Sequence, residues 1–207
     1  PALPAWATAA PPAPPRPARP RAPSDLGGAK ALPGEGLPEA EALARGTRLH
    51  ALLEHLPGHP AERWPEIAAA VTAPAPCPED ELAEARAILT APDLAALFAP
   101  DTLAEVPVSA ALPELGGARV SGTIDRLVVA PERVLAVDFK TNRQVPERAE
   151  DVPDGLLRQM GAYAAALAQV YPGRPVETAL LWTGVPRLMP VPGPLAAAAL
   201  ARAVPPS

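Results

Sequence analysis

Leu49, Leu52, Leu53 and Leu56 recur at helical spacing, so one apolar stripe runs along a helix predicted from Glu39 to Leu56. Pro57-Gly58 ends it. Shorter helical patterns follow over residues 60–71 and 78–98, with Pro60, Pro78 and Pro92 standing where a first turn accepts proline. The character then changes. Leu103 to Leu112, Val120 to Val129 and Val134 to Lys140 are rich in β-branched and aliphatic residues, with turn signals at Pro113–Gly117 and Pro131-Glu132-Arg133 between them. They read as three consecutive strands of an antiparallel meander. Leu156, Met160, Tyr163, Leu167 and Val170 return to helical spacing on one stripe, which Pro172-Gly173 stops. Val176 to Trp182 and a short Arg187–Val191 segment read as strands, and a terminal helix is expected over 194–204. This order predicts an α/β fold with a mixed sheet flanked by helices. The helical lead-in occupies 37–98 and the core 102–192.

Composition changes the picture mainly at the start of the chain. The 207 residues include 32 prolines, concentrated at the N-terminus. Residues 1–36, rich in Pro, Ala, Arg and Gly, read as a disordered, extended tether, because proline removes donors and fixes φ. Arg16, Arg19 and Arg21 make that tether mildly basic. The start lacks an initiator Met and a signal-peptide pattern, and the chain is expected to be the C-terminal piece of something longer. A net charge of -5 argues against gripping nucleic acid by bulk electrostatics. The single cysteine, Cys77, rules out a disulfide framework and a Cys-based zinc or iron–sulfur site within these residues, and fits a reducing cytosol. No apolar run reaches the roughly 18 residues that span a membrane. No phosphate-binding Gly-x-x-x-x-Gly-Lys motif is present, so no nucleotide site is expected in this piece.

Candidate chemistry centres on Val137-Asp138-Phe139-Lys140-Thr141. Asp138 and Lys140, two apart on a strand, share a face. The chain writes its positive charge as 16 arginines and only two lysines, Lys30 and Lys140, so a compact ammonium stands out at this spot. Asp125, in Gly122-Thr123-Ile124-Asp125-Arg126, lies 13 residues earlier, where a hairpin would bring the two acids together. Gln159 and Tyr163 are i and i+4 on the following helix and share its face. His50 lies beside the leucine stripe of the first helix, whereas His55 and His59 read as structural or solvated. Two carboxylates suit a hard cation such as Mg²⁺, and a histidine ligand would let the site tolerate Mn²⁺. A metal acidifies a bound water, a nearby lysine can orient it, and a Gln–Tyr face can position a nucleic-acid backbone or base.

Taken in order, Arg45-Gly46-Thr47-Arg48-Leu49-His50, Glu105-Val106-Pro107-Val108, Gly122-Thr123-Ile124-Asp125-Arg126, Asp138-Phe139-Lys140-Thr141-Asn142-Arg143 and Gln159-x-x-x-Tyr163 resemble the RecB-type nuclease domain of the PD-(D/E)xK superfamily. Within it the likeness is greatest to the C-terminal domain of AddA-type helicase–nuclease subunits of bacterial double-strand-break repair, over roughly residues 40 to 192. Ile124-Asp125 stands in place of the superfamily's Pro-Asp. The resemblance implies a restriction-endonuclease-like core. It also implies metal ligation by His50, Asp125, Asp138 and the backbone carbonyl of Phe139, and catalysis by Asp125, Asp138 and Lys140, with Gln159 and Tyr163 beside the active site. Glu105 is open between a metal role and an exposed polar position. Arg126, Arg143, Arg148 and Arg158 are open between a phosphate-binding patch and surface pairing with Glu147, Glu150 and Asp151.

The expected function is therefore a cytoplasmic, nucleoid-associated Mg²⁺-dependent exonuclease domain. It would hydrolyse single-stranded DNA delivered by a helicase part of the same chain, with an AddB-like partner subunit. The alternative is a catalytically silent nuclease-like module that binds DNA ends or docks a partner.

Overall fold

The structure is a computed structural model that describes residues 19–30 and 38–203. Three helices lead in: α1 (Glu39–His55), α2 (Trp64–Val71) and α3 (Glu79–Leu89). Strands β1 (Leu103–Leu112), β2 (Ala118–Val129) and β3 (Val134–Lys140) form the antiparallel meander. Helix α4 (Asp154–Val170) crosses over to β4 (Val176–Trp182), which pairs parallel to β3. β5 (Arg187–Val191) adds antiparallel to β4, and α5 (Gly193–Ala201) closes the described chain. The sheet order is β1-β2-β3-β4-β5. This is the mixed five-stranded sheet of a restriction-endonuclease-like α/β fold, with helices on both faces. No helix among the described residues is long and apolar enough to cross a membrane.

Each sheet face owns a separate core. On one face, Leu49, Leu52, Leu53 and Leu56 of α1, all wholly buried, meet Leu135, Val137 and Phe139 of β3. Burying each such leucine contributes about 1.5–3 kcal/mol. On the other face, Leu156, Met160, Tyr163 and Leu167 of α4 meet Val134, Ala136, Ile124 and Leu180. Strand alternation thus sends Phe139 toward α1 and its neighbours Asp138 and Lys140 toward α4.

Alternation fails at one place. Ile124 and Leu127 belong to the same core although they are three residues apart. Arg126 pairs across to Val137, whose side chain lies in the α1-face core. The slip sits at Asp125. Opposite it, the β1–β2 ladder runs through Ala104↔Arg126 and Val106↔Ile124 without pairing Glu105. Glu105 is the one non-glycine among the described residues with positive φ, at 48°. Such backbone costs energy and collects at functional sites.

Several expectations about the elements need correcting or refining. The predicted tether of residues 1–36 has a structured part: Leu26 is buried in the α4-side core, and Arg21 bridges to Val120. Proline content hid this because one apolar residue suffices to dock so short a strap; residues 1–18 and 31–36 lie outside the described residues. Val170, the last residue of the predicted stripe, is exposed at the end of α4. The terminal helix runs Gly193–Ala201, and Val204 lies outside the described residues. The helical pattern of 60–71 and 78–98 resolves into α2 and α3 with 3₁₀ turns at Ala61–Arg63 and Pro92–Phe98.

Candidate active site

The β2–β3 ladder covers Arg126↔Val137 through Val129↔Val134 and stops there. Continued one step, the register sets Asp125 opposite Asp138. Instead of a backbone pair, the Asp125 carboxylate fills the opening: Phe139 N donates to its Oδ2 at 2.5 Å, and its Oδ1 lies 3.3 Å from His50 Nδ1. His50 also meets the Phe139 ring edge-on, at 5.6 Å between centroids. Ligand atoms of His50, Glu105 and Asp125 all lie within 4.8 Å of one another.

Asp138 belongs to the neighbouring group. Its Oδ1 accepts from Gln159 Nε2 at 2.7 Å, and Lys140 Nζ lies 2.5 Å from its Oδ2. Lys140 Nζ also donates to Gln159 Oε1 at 3.1 Å. Gln159 Nε2 reaches Tyr163 OH at 3.3 Å, and that hydroxyl donates to Thr123 O at 2.6 Å. Gln159 and Tyr163 are both buried. The helix face predicted to position or stack nucleic acid instead braces Asp138 and Lys140 from within.

A cleft of about 540 Å³ opens over these groups, lined in part by Gly46, His50, Glu54, Glu105, Phe139 and Lys140. Helix α1 is fixed beside it by ion pairs to α3. Arg48 is bidentate to Glu81 at 2.7 and 2.5 Å, and Arg45 holds Glu84 while donating to Thr141 O at 3.3 Å. The Arg45–His50 run thereby ties the His50 helix to the end of β3.

The electrostatics are those of crowded acid. Burial, opposed by Lys140 and reinforced by Asp125, raises the Asp138 pKa well above the usual carboxylate range. Burial, then the Asp125 charge, raises Glu105. Burial opposes a charged His50 ring, but the hydrogen bond and charge of Asp125, aided by Asp138, outweigh it and raise its pKa. Burial raises the Tyr163 phenol. These carboxylates are brought together at a cost that a cation would remove.

Residues 30–197 match the PD-(D/E)XK nuclease superfamily. The chain belongs to it. No curated protein matches the chain significantly. The superfamily consists of phosphodiester-cleaving nucleases that use divalent metals. The donor set of this nuclease domain fits such a metal. Carboxylate oxygens dominate, with one imidazole, and the buried Asp138 Oδ2 is met by the Lys140 ammonium alone.

The remaining candidates divide. Arg126 is no phosphate ligand: it is buried, donates to Leu53 O at 2.6 Å and lies 4.9 Å over the Phe98 ring. The slip at Asp125 turns it to the α1 face. Arg148 pairs with Asp151, and Arg158 with Asp154 and Leu26 O. Arg143 is exposed and has no partner among the described residues. His55 is half exposed beside Glu54, and His59 offers its carbonyl to Trp64 Nε1. Sequence reasoning missed Glu54, which lines the cleft one turn after His50; its i+4 spacing from His50 was the available signal.

Proposed function

We propose that this domain is the Mg²⁺-dependent deoxyribonuclease part of an AddA-type helicase–nuclease, cutting single-stranded DNA at double-strand breaks. The convergence of Asp125, Asp138, Lys140 and His50 beside one open cleft carries this reading. His50, Asp125 and Asp138, with the Phe139 carbonyl, would hold the cation, and Glu105 joins them because its carboxylate lies in the same cluster. When bound, the metal acidifies a water and offsets charge on the phosphate. Lys140, held by Asp138 and Gln159, would orient such a water and meet the charge developing on the scissile phosphate. Asp125 fixes the His50 ring and the Phe139 backbone together. The net charge of -5 accords with a strand fed by a cytoplasmic helicase motor and an AddB-like partner rather than captured by this domain.

The deciding experiment incubates the chain with end-labelled single- and double-stranded DNA and Mg²⁺. Cleavage is expected on single strands, absent in EDTA, and lost in Asp138→Ala and Lys140→Ala. Cleavage undiminished in either variant would falsify the assignment. DNA binding equally tight in EDTA, with no cleavage under any divalent metal, would instead establish a silent binding module.

A further inference from the structure

The edge of β2 that β3 leaves unpaired is satisfied piece by piece. Arg21 N donates to Arg119 O at 3.0 Å, and Ser121 N to Arg21 O at 2.9 Å. Thr123 O takes the Tyr163 hydroxyl, and β3 resumes the ladder at Arg126. Arg21 therefore bridges the edge of β2 that the shortened β3 ladder leaves open, since β1 already occupies the other edge, and a 3₁₀ turn at Pro23–Asp25 follows it. A buried backbone edge needs such partners.

The same segment reaches α4. Leu26 is buried in the core beneath that helix, and its carbonyl accepts from Arg158 at 3.0 Å. Ala29 O accepts from Gly155 N at 2.8 Å, in the first turn of α4 and one turn before Gln159. Two glycines permit the fit. A Cβ on Gly122 would stand 2.7 Å from Pro23 Cδ, and one on Gly28 would stand 2.7 Å from Gly155 N, at φ 88°.

We propose that residues 21–30 are a positioning strap of the active site. They clamp β2 to the first turn of α4, and so hold Gln159, which in turn fixes Asp138 and Lys140. The nuclease unit accordingly includes the strap, inside the Pro-rich region. Because the strap acts through Gln159 on Lys140, its catalytic role rests on the nuclease reading above.

The test is a double-variant cycle in the full chain, read on single-stranded DNA with Mg²⁺. Gly122→Ala pushes its methyl into Pro23 and lifts the strap, whereas the Tyr163 hydroxyl is at an ordinary 3.6 Å. Its kcat is expected to fall about tenfold to a hundredfold with KM unchanged, the scale of a small misplacement of reacting groups. Adding Pro23→Ala removes the ring atoms that clash, and should restore most of the loss. In parallel, amide exchange at Ser121 and Gly155 should quicken in Gly122→Ala and slow again in the double variant. Faster exchange with unaltered kcat overturns the positioning role, and a double variant as impaired as Gly122→Ala overturns it too. A wild-type chain that cleaves no nucleic acid overturns the nuclease reading and the catalytic role with it, while exchange still reports separately whether the strap is seated. Should Gly122→Ala fail to fold, Leu26→Ala loosens the strap without touching β2, and Ile88→Ala in the opposite core controls for general loss of stability. A kcat loss in Leu26→Ala no greater than in Ile88→Ala refutes the strap.

Discussion

On the α4 side of β3, Asp138, Lys140, Gln159 and Tyr163 form a chain of hydrogen bonds and one ion pair that ends on the Thr123 carbonyl. On the α1 side, His50, Glu105 and Asp125 crowd together under an open cleft, with raised pKa values for the histidine and the glutamate. The first group carries its partners within the fold. The second contains more negative charge than the fold neutralises, and its backbone is strained at Glu105. The comparison separates two tasks. The braced side keeps a lysine in one place, and the crowded side gathers donors that suit a cation. Asp138 is held on the braced side by Gln159 and Lys140 and bears on the crowded side through its charge, which is felt by His50 and Asp125.

Neutralising the crowded side should have the largest effect. Asp125→Asn keeps an oxygen to accept from Phe139 N, yet removes the charge. Cleavage is expected to fall by about a hundredfold or more, and Mg²⁺ or Mn²⁺ should no longer raise the melting temperature. The metal-free variant should melt near the wild-type temperature. A variant that loses folding as well as activity would mean that Asp125 braces the fold like Gln159, and the division between the two sides would collapse.

Gln159→Leu probes the braced side. It strips the Asp138 Oδ1 partner and one acceptor of Lys140. Leaving a buried carboxylate oxygen unpaired should cost about 1–3 kcal/mol of stability in chemical denaturation. Activity should drop while metal-induced stabilisation persists. Loss of metal binding equal to that in Asp125→Asn would show the two groups to be one.

How much of this was legible along the chain follows from the same contrast. The 13-residue interval between Asp125 and Asp138 is a hairpin register, so their alignment could be read directly, as could the shared face of Asp138 and Lys140. The spacing of Gln159 and Tyr163 gave their common face, but spacing cannot say whether a face turns inward, and here it does. Arg126 was unreadable because strict alternation would have left it on the α4 face, and the slip at Asp125 reverses it. The strap was unreadable because its partners, Gly122 and Gly155, are about 100 to 130 residues away, and Pro-rich composition carries no such pairing.

The metal and the proton should compete on the crowded side. Asp138 and Glu105 have raised folded pKa values, so in the metal-free protein their burial cost is present above those values and is relieved as pH falls through them. His50 is raised also, so its stabilisation is present at low pH and is lost as pH rises through its folded value. All three make the metal-free protein relatively more stable in mild acid. A metal needs the same groups deprotonated. The Mg²⁺-induced rise in melting temperature should therefore be several degrees greater at about pH 8 than at about pH 6. The opposite trend would show that the cation binds elsewhere.

The smallest effect is expected from Arg143, which belongs to neither side. It follows Lys140 by three residues, at the rim beyond Thr141 and Asn142, which line the cleft. Arg126, Arg148 and Arg158 are committed to protein partners, whereas Arg143 has none among the described residues. A single exposed guanidinium on one phosphate contributes mainly counterion release. Arg143→Ala should raise KM for single-stranded DNA severalfold, leave kcat unchanged, and lower the slope of log affinity against log salt by about 0.7. A fall in kcat with KM and the salt slope unaltered would move Arg143 from the rim into the chemistry, since a phosphate contact made equally in ground and transition states leaves kcat alone.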